Sequence, residues 1–465
     1  MKKYFFIFIL PAVVFAVGCN KLKDFGSTNI NPNASTTPIV GALMTNVQAG
    51  IGGYAAQTRP GLYAQYFSET QYTDVSLYSL PQLNFSGEYA GSLYDLQNII
   101  NQNVSNNQNV VARILMQYIF WTLTDRWGDI PYSEALTGNA TPKYDKQEDI
   151  YKGMINTLKA AVDQFDPSSP ITGDIIYNGN IANWKKLANT LRMAMALRLS
   201  KVYPSPSGYA ATEFKAALQH PAGVITSNAE NFTVNYPGGN FQNPWFATYN
   251  GRRDFGESAT MTTLMTNLND PRQQAFGTST VGVPYGVTRA KAEAFTGANT
   301  NWSRILREDL RQDNSSVVVY SAAQATLARA EAADYGWTSE NLTNLYQTGI
   351  TLSFQQWGLP APSASYFLQP NVALTAPAGT GANLQKIATQ RYIASYPNGL
   401  EGWSIWRKTG YPVLTPAPDA VTTTGIPRRY TYGQNEYATN DAATKAAASA
   451  IGGDEANTRV WWDKQ

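Results

Sequence analysis

Apolar residues recur at helical spacing through three long segments, and this periodicity constrains the fold more than any other feature of the chain. Val111, Ile114, Leu115, Tyr118 and Ile119 share one face, because residues three and four apart are neighbours on a helix. The run stops near Gly128 with Pro131 beyond it, the usual order of helix terminators. Ile150, Met154, Leu158, Ala161, Val162 and Phe165 form a second stripe, with Asp145 and Glu148 spaced like a capping box. Trp184, Leu187, Leu191, Met195, Leu199 and Val202 form a third, closed by Pro204. The pattern predicts helices over 111–127, 147–165 and 182–203. Their spacing, roughly thirty-odd residues, suits stacked helix pairs of the tetratricopeptide kind, although the consensus residues of that repeat are absent.

Shorter helices are predicted around Leu93–Ile100 and Met261–Leu268, and longer ones over Ser321–Tyr335, Asn341–Trp357 and Ala382–Ser395. Ser321 and Gln324 open the Ala-rich one. Strand-like alternation is rare, with Ser316–Tyr320 the main candidate. The chain therefore reads as all-α with long loops. The loops Gln65–Ser86, Asn231–Phe255, Gly277–Trp302 and Tyr411–Asn440 are rich in Gly, Pro, Asn and Tyr and sparsely charged. Loops of this length are functional or disordered, and their aromatic content argues against disorder.

Composition narrows the chemistry. Only 15% of the 465 residues are charged, against roughly 25% in ordinary soluble domains. The chain carries 28 Tyr and 11 Trp, so its surface suits neutral, polar, ring-shaped or peptide-like ligands rather than phosphate backbones. A single His and a single Cys exclude Cys/His zinc sites, disulfides within the chain, Cys–His nucleophile pairs and haem attachment. No phosphate-binding loop, dinucleotide fingerprint, nucleophile elbow or EF-hand spacing is present. His220, just before Pro221, reads as structural. No cofactor and no metal are implied.

The first residues bear on the compartment. Met1-Lys2-Lys3 is a basic head, and Tyr4–Val17 is an apolar run shorter than the ~20 residues a spanning helix needs. Ala16-Val17-Gly18-Cys19 follows. Small residues before a cleavage point mark a secretory leader, and the lone Cys at that point resembles a bacterial lipobox, with Ala16 where a leucine is usual. Residues 1–18 read as a lipoprotein signal peptide, 19–35 as a lipidated tether starting at Cys19, and 36–465 as one fold. Loss of Lys2 and Lys3 with the leader cancels the +2 formal charge of the whole chain. A neutral mature protein gives no support to electrostatic nucleic-acid binding.

Motifs along the chain then resemble one family. Asp125-Arg126-Trp127-Gly128-Asp129-Ile130-Pro131-Tyr132-Ser133-Glu134-Ala135 is similar to a signature stretch of SusD/RagB-type outer-membrane lipoproteins of Bacteroidetes. Others follow in the family's order: Asp24-Phe25-Gly26 with Asn31-Pro32-Asn33, Tyr66–Tyr72, Trp184–Arg192, Asn269-Asp270-Pro271-Arg272, Gly399–Trp403, Arg407–Pro412, Ile426-Pro427-Arg428-Arg429 and Trp461-Trp462-Asp463. The resemblance spans nearly the entire mature chain. It implies an all-α fold of tetratricopeptide-like helix pairs with a loop-rich remainder. It also implies a non-catalytic, lipid-anchored, surface-exposed protein of the outer membrane. Such a protein captures a glycan, or an oligopeptide, and delivers it to a SusC-like TonB-dependent transporter.

Most of the motif residues read first as architecture. Asp125–Asp129 reads as a helix terminus, with Gly128 in the left-handed position. Trp403, Trp406, Arg407 and Tyr411 read as core and cap residues, and Arg428-Arg429 as partners of acidic neighbours. In the resembled family, ligand contacts come from an early loop after the first helix and from the loop-rich middle. Those places here hold Tyr72, Asp74 and Tyr78, then Asn243, Trp245, Phe246, Arg252 and Trp302; these eight are the candidate ligand-binding residues, and no catalytic residue is assigned. The alternative is an extracellular hydrolase working through a carboxylate pair, whose scattered Asp and Glu the spacing does not single out.

Overall fold

The computed structural model describes residues 39–464 apart from Leu80 and Thr423. The leader and Cys19 lie outside the described residues.

The helix Asn106–Trp127 shows how the sequence builds the scaffold. Ser105 caps it, its hydroxyl accepting from the Gln108 amide, and Gly128 ends it at φ 90°, where a Cβ would be hindered. Its first turn is polar, which hid the true start: the Asn107 amide donates to the carbonyls of Asp166 and Ser169, each at 2.7 Å. Almost every residue of this helix is buried, as in a helix surrounded by partners on all sides. It packs against Ser92–Gln102 before it and Gln147–Asp163 after it. The series continues through Ile181–Arg198 and Tyr209–Leu218, each helix lying on its predecessor. A second set comprises Ala322–Asp334, Leu342–Gln356, Leu384–Ser395 and Gly399–Thr409, again packed in succession or in pairs. The all-α, tetratricopeptide-like expectation holds.

Asp145 corrects one local expectation. It does not cap the helix beginning at Gln147, whose N-cap position is Lys146. Its Oδ2 instead accepts from the amides of Tyr132 and Ser133, at 3.1 and 2.7 Å. The helix start is served from a distance by Asp129, whose Oδ1 accepts from the Gln147 amide at 2.8 Å.

Buried charges tie the two helix sets together. Asp125 accepts from the Tyr151 hydroxyl and, at 2.9 Å, from the Trp462 indole. Arg198 sits between Asp125 and Glu401, reaching the latter at 2.6 Å. Glu331 receives both Arg391 and Lys408. Arg428 pairs with Asp463 and Arg429 with Asp454, and Trp403 is fully buried, stacked on Tyr430. The motif residues thus serve the architecture.

Strands are few: Phe67–Glu69 with Phe255–Glu257, Gln82–Leu83 with Thr431–Tyr432, and Phe232–Val234 with Val317–Tyr320. Each pair clamps one long loop to a distant segment. The loops also carry helices that periodicity did not expose, at Pro244–Tyr249 and Arg289–Ala298. No helix among the described residues is long and apolar enough to cross a membrane.

Candidate functional site

A cleft of about 830 Å³ opens where two of the long loops meet, inside the usual range for small-molecule sites. The antiparallel pair Phe67–Glu69 with Phe255–Glu257 sets its geometry, with Glu69 opposite Phe255. The pairing continues one step further, as the Thr70 amide donates to the Asp254 carbonyl at 2.9 Å. This register brings Tyr72 from one loop and Arg252 and Asp254 from the other to the same opening.

Tyr72 is the exposed ring of the site, 54% accessible. The Arg289 guanidinium lies 5.5 Å from its ring centroid, a cation–π distance. Asp254 is buried and well held. It accepts from Arg252 Nε at 2.6 Å and from the Gln71 amide. Gln57, Asn84, Glu88 and Arg126 complete the polar lining, while Trp127, Phe255 and Tyr430 supply aromatic wall. Arg126 is fixed by the Thr122 carbonyl and by Gln57, both at 2.8 Å.

Glu69 lines the cleft from a nearly buried position. Burial pushes its carboxyl up to about 7, against the opposing Ser76 donors and the charge of Arg59. The Ser76 amide and hydroxyl reach its Oε2 at 2.8 and 2.7 Å. Arg59, Arg126 and Arg252 share the lining with Glu69, Glu88 and Asp254, so three guanidiniums are matched by three carboxyls in number. An opening of that balance, walled by rings and edged by amides, suits a neutral polar ligand better than an ion.

The structure brings together only Tyr72 and Arg252 of the candidate residues. Asp74 is exposed beside the cleft but outside its lining. Tyr78 is buried with φ 65°, and its hydroxyl accepts from the Ala417 amide. Asn243 is fully buried as the N-cap of Pro244–Tyr249 and also donates to the Ser315 carbonyl. Trp245 is buried against Phe67, Phe246 is half-buried outside the lining, and Trp302 is buried under Arg304. As placed, Tyr78, Asn243, Trp245 and Trp302 present no face to the cleft. Glu69, Asn84 and Asp254 do line it, and sequence reasoning passed them over. The loops containing them stood out, but which loop residues face inward is decided by the register of a three-residue strand, too short to leave a period.

No group of His, Cys, Asp and Glu arranged to hold a metal ion is present among the described residues.

Comparison with known proteins agrees with this architecture. The profile of a SusD-like family, described as starch-binding and associating with the outer membrane, matches residues 32–433. A chitin-binding SusD homologue from Flavobacterium johnsoniae superposes with a TM-score of 0.81 at 27% identity, over 92% of this chain and 99% of that one. A second solved structure, a chitin-binding protein, gives 0.79 at 28% identity, over 92% and 100% of the two chains. A SusD homologue from Bacteroides uniformis shares the fold, with a TM-score of 0.78 at 24% identity over 92% and 99%. No curated protein sequence matches the chain. With the family profile covering most of its length and its helix pairs superposing on those of solved homologues, the chain belongs to the SusD-like family of non-catalytic, nutrient-binding proteins associated with the outer membrane.

Proposed function

We propose that this protein captures a neutral glycan in the cleft around Tyr72, Arg252 and Asp254 and passes it on without altering it. The observation that carries the reading is an accessible ring beside a fixed carboxylate–guanidinium pair in an opening of about 830 Å³. A sugar lays its C–H face on such a ring, and Asp254, Arg252 and Asn84 bond its hydroxyls. Two of the similar solved structures are of chitin-binding proteins, which favours chitin oligomers as first ligands to try, and the family's starch-binding character favours starch oligomers; oligopeptides are the third class. The receiving partner is a SusC-like TonB-dependent transporter. The anchor is lipid on Cys19, with residues 19–35 as tether to a single fold over 36–465. Several acyl chains on one terminus hold a protein stably at a bilayer.

Isothermal titration with chitooligosaccharides, maltooligosaccharides and oligopeptides tests the capture step. Binding of one glycan class that is lost in Tyr72→Ala, scarcely changes with salt, and leaves the oligosaccharide intact supports the reading. Binding that collapses as salt rises, or survives Tyr72→Ala unchanged, overturns it.

A further inference from the structure

The two carboxyl oxygens of Glu69 are served unequally. Its Oε2 takes both donors of Ser76, the amide at 2.8 Å and the hydroxyl at 2.7 Å. Its Oε1 takes no hydrogen bond from the described residues. Yet Oε1 is not sealed off from solvent without a partner, as Glu257 Oε1 is. Glu69 lines the cleft, so the unserved oxygen keeps its accessible surface there. Tyr72 stands three residues further along the chain and lines the same opening.

Burial outweighs the other influences on this carboxyl and holds its proton on up to about 7. The Ser76 donors and the charge of Arg59, from the helix Thr58–Tyr63, pull the other way, while Asp74 on Glu69's own loop adds to burial. The Tyr63 and Tyr285 hydroxyls also feel its charge. The segment entering the paired strand brings Asp254 and Arg252, which are bonded to each other at 2.6 Å. Glu88 and Arg126 are the remaining charged groups of the lining. Because Oε2 already accepts from two donors, the proton belongs on Oε1, where a carboxylic acid becomes a hydrogen-bond donor.

We propose that Glu69 is a ligand-binding residue of the cleft that works in its protonated form, donating from Oε1 to an acceptor oxygen of the bound saccharide, so that capture takes up a proton. The inference rests on the glycan reading of the cleft and adds a dependence on pH to it. A ligand that covers Oε1 removes the last water from the carboxyl. Sealing in a charge there is costly, whereas a neutral carboxyl that donates one hydrogen bond is satisfied. The ligand therefore prefers the protonated form. By linkage, affinity is full below the value at which the free carboxyl ionises and falls as pH rises through it.

Calorimetric titration of the full mature protein with chitohexaose and with maltohexaose, in two buffers of different ionisation enthalpy, tests this. The expected result is proton uptake on binding near pH 7 and an affinity that falls about tenfold from about pH 6 to about pH 8. Glu69→Gln should bind without proton uptake and with a flat profile. Ser76→Ala carries the same test without touching Glu69: it removes a donor that favours the ionised form, so the fall should move to higher pH. Glu257→Gln should keep the fall, because Glu257 is fully buried and outside the cleft lining. A flat profile in the unsubstituted protein, an unmoved fall in Ser76→Ala, a fall that persists in Glu69→Gln, or one abolished by Glu257→Gln overturns the role of Glu69. Binding that is lost in Tyr72→Ala yet indifferent to pH overturns that role and leaves the proposed function standing. Binding of neither saccharide at any pH overturns both.

Discussion

The Arg289 guanidinium lies 5.5 Å from the ring centroid of Tyr72, and its Nε bonds Glu293 one helical turn on, at 2.7 Å. The helix Arg289–Ala298 therefore braces the exposed Tyr72 ring of the cleft. Because the Arg289–Glu293 pair is exposed on both sides, it adds little to folding. Arg289→Ala is expected to leave the unfolding midpoint nearly unchanged while weakening ligand affinity about threefold, by loss of a cation–π brace of about 0.5–1 kcal/mol. Calorimetric titration alongside thermal unfolding separates the two effects.

Glu331 is the hinge of a buried triad. Its carboxylate, held down to about 2 mainly by Lys408 and Arg391 against the cost of burial, is fully enclosed with both cations. Removing it leaves two buried positive groups without a counter-charge. Glu331→Ala is expected to cost about 3–5 kcal/mol, read as a lowered midpoint in chemical denaturation at unchanged slope.

Six carboxyls among the described residues shift the other way, Asp125, Asp334 and Glu436 together with Asp129, Glu69 and Glu257. Burial raises Asp129 to about 6, Glu69 to about 7 and Glu257 to about 8. Each binds a proton in the folded state over a range where the unfolded chain has lost it. Stability from these groups is therefore present below the ordinary carboxylate range and falls as pH rises toward each raised value. Glu331 acts in the opposite sense, its contribution being lost as pH drops toward 2. Denaturation between pH 4.5 and 8 should show declining stability, and Glu257→Gln should flatten the upper part of that decline.

The segment beneath the cleft depends on two glycines in contact. A Cβ on Gly399 would sit 2.1 Å from the Gly61 nitrogen, and one on Gly61 would sit 2.1 Å from the Phe67 ring. Backbone atoms do not give way as a flexible side chain does. Gly399→Ala is expected to destabilise by about 1–3 kcal/mol and to weaken ligand binding as well, since Phe67 starts the strand that places Glu69 and Tyr72. Unfolding and titration of the same variant check both.

The stripes of Ile150–Phe165 and Trp184–Leu199 were legible in the sequence because each helix turns one apolar face to a neighbour. Helices that are small-residue rich or buried all round left a weaker trace. Val40–Ala55 and Asp441–Ala450 went unmarked, since Gly and Ala blur an amphipathic stripe. The motif residues read correctly as architecture: Gly128 ends a helix, and Arg428 and Arg429 meet Asp463 and Asp454. The cleft was legible only as loops. Trp245 and Trp302 have the chemistry of sugar platforms, yet both are buried, because an aromatic in a long loop serves packing as readily as recognition. Asp254 and Glu69 reached the cleft through strand register, which no local pattern announced.

A crystal structure of the protein soaked with a chitooligosaccharide or a maltooligosaccharide tests the central claim most directly. The account predicts an intact sugar lying against the Tyr72 ring, with hydroxyls bonded to Asp254 and Arg252. A sugar bound elsewhere with that cleft empty, or one found cleaved, would contradict it.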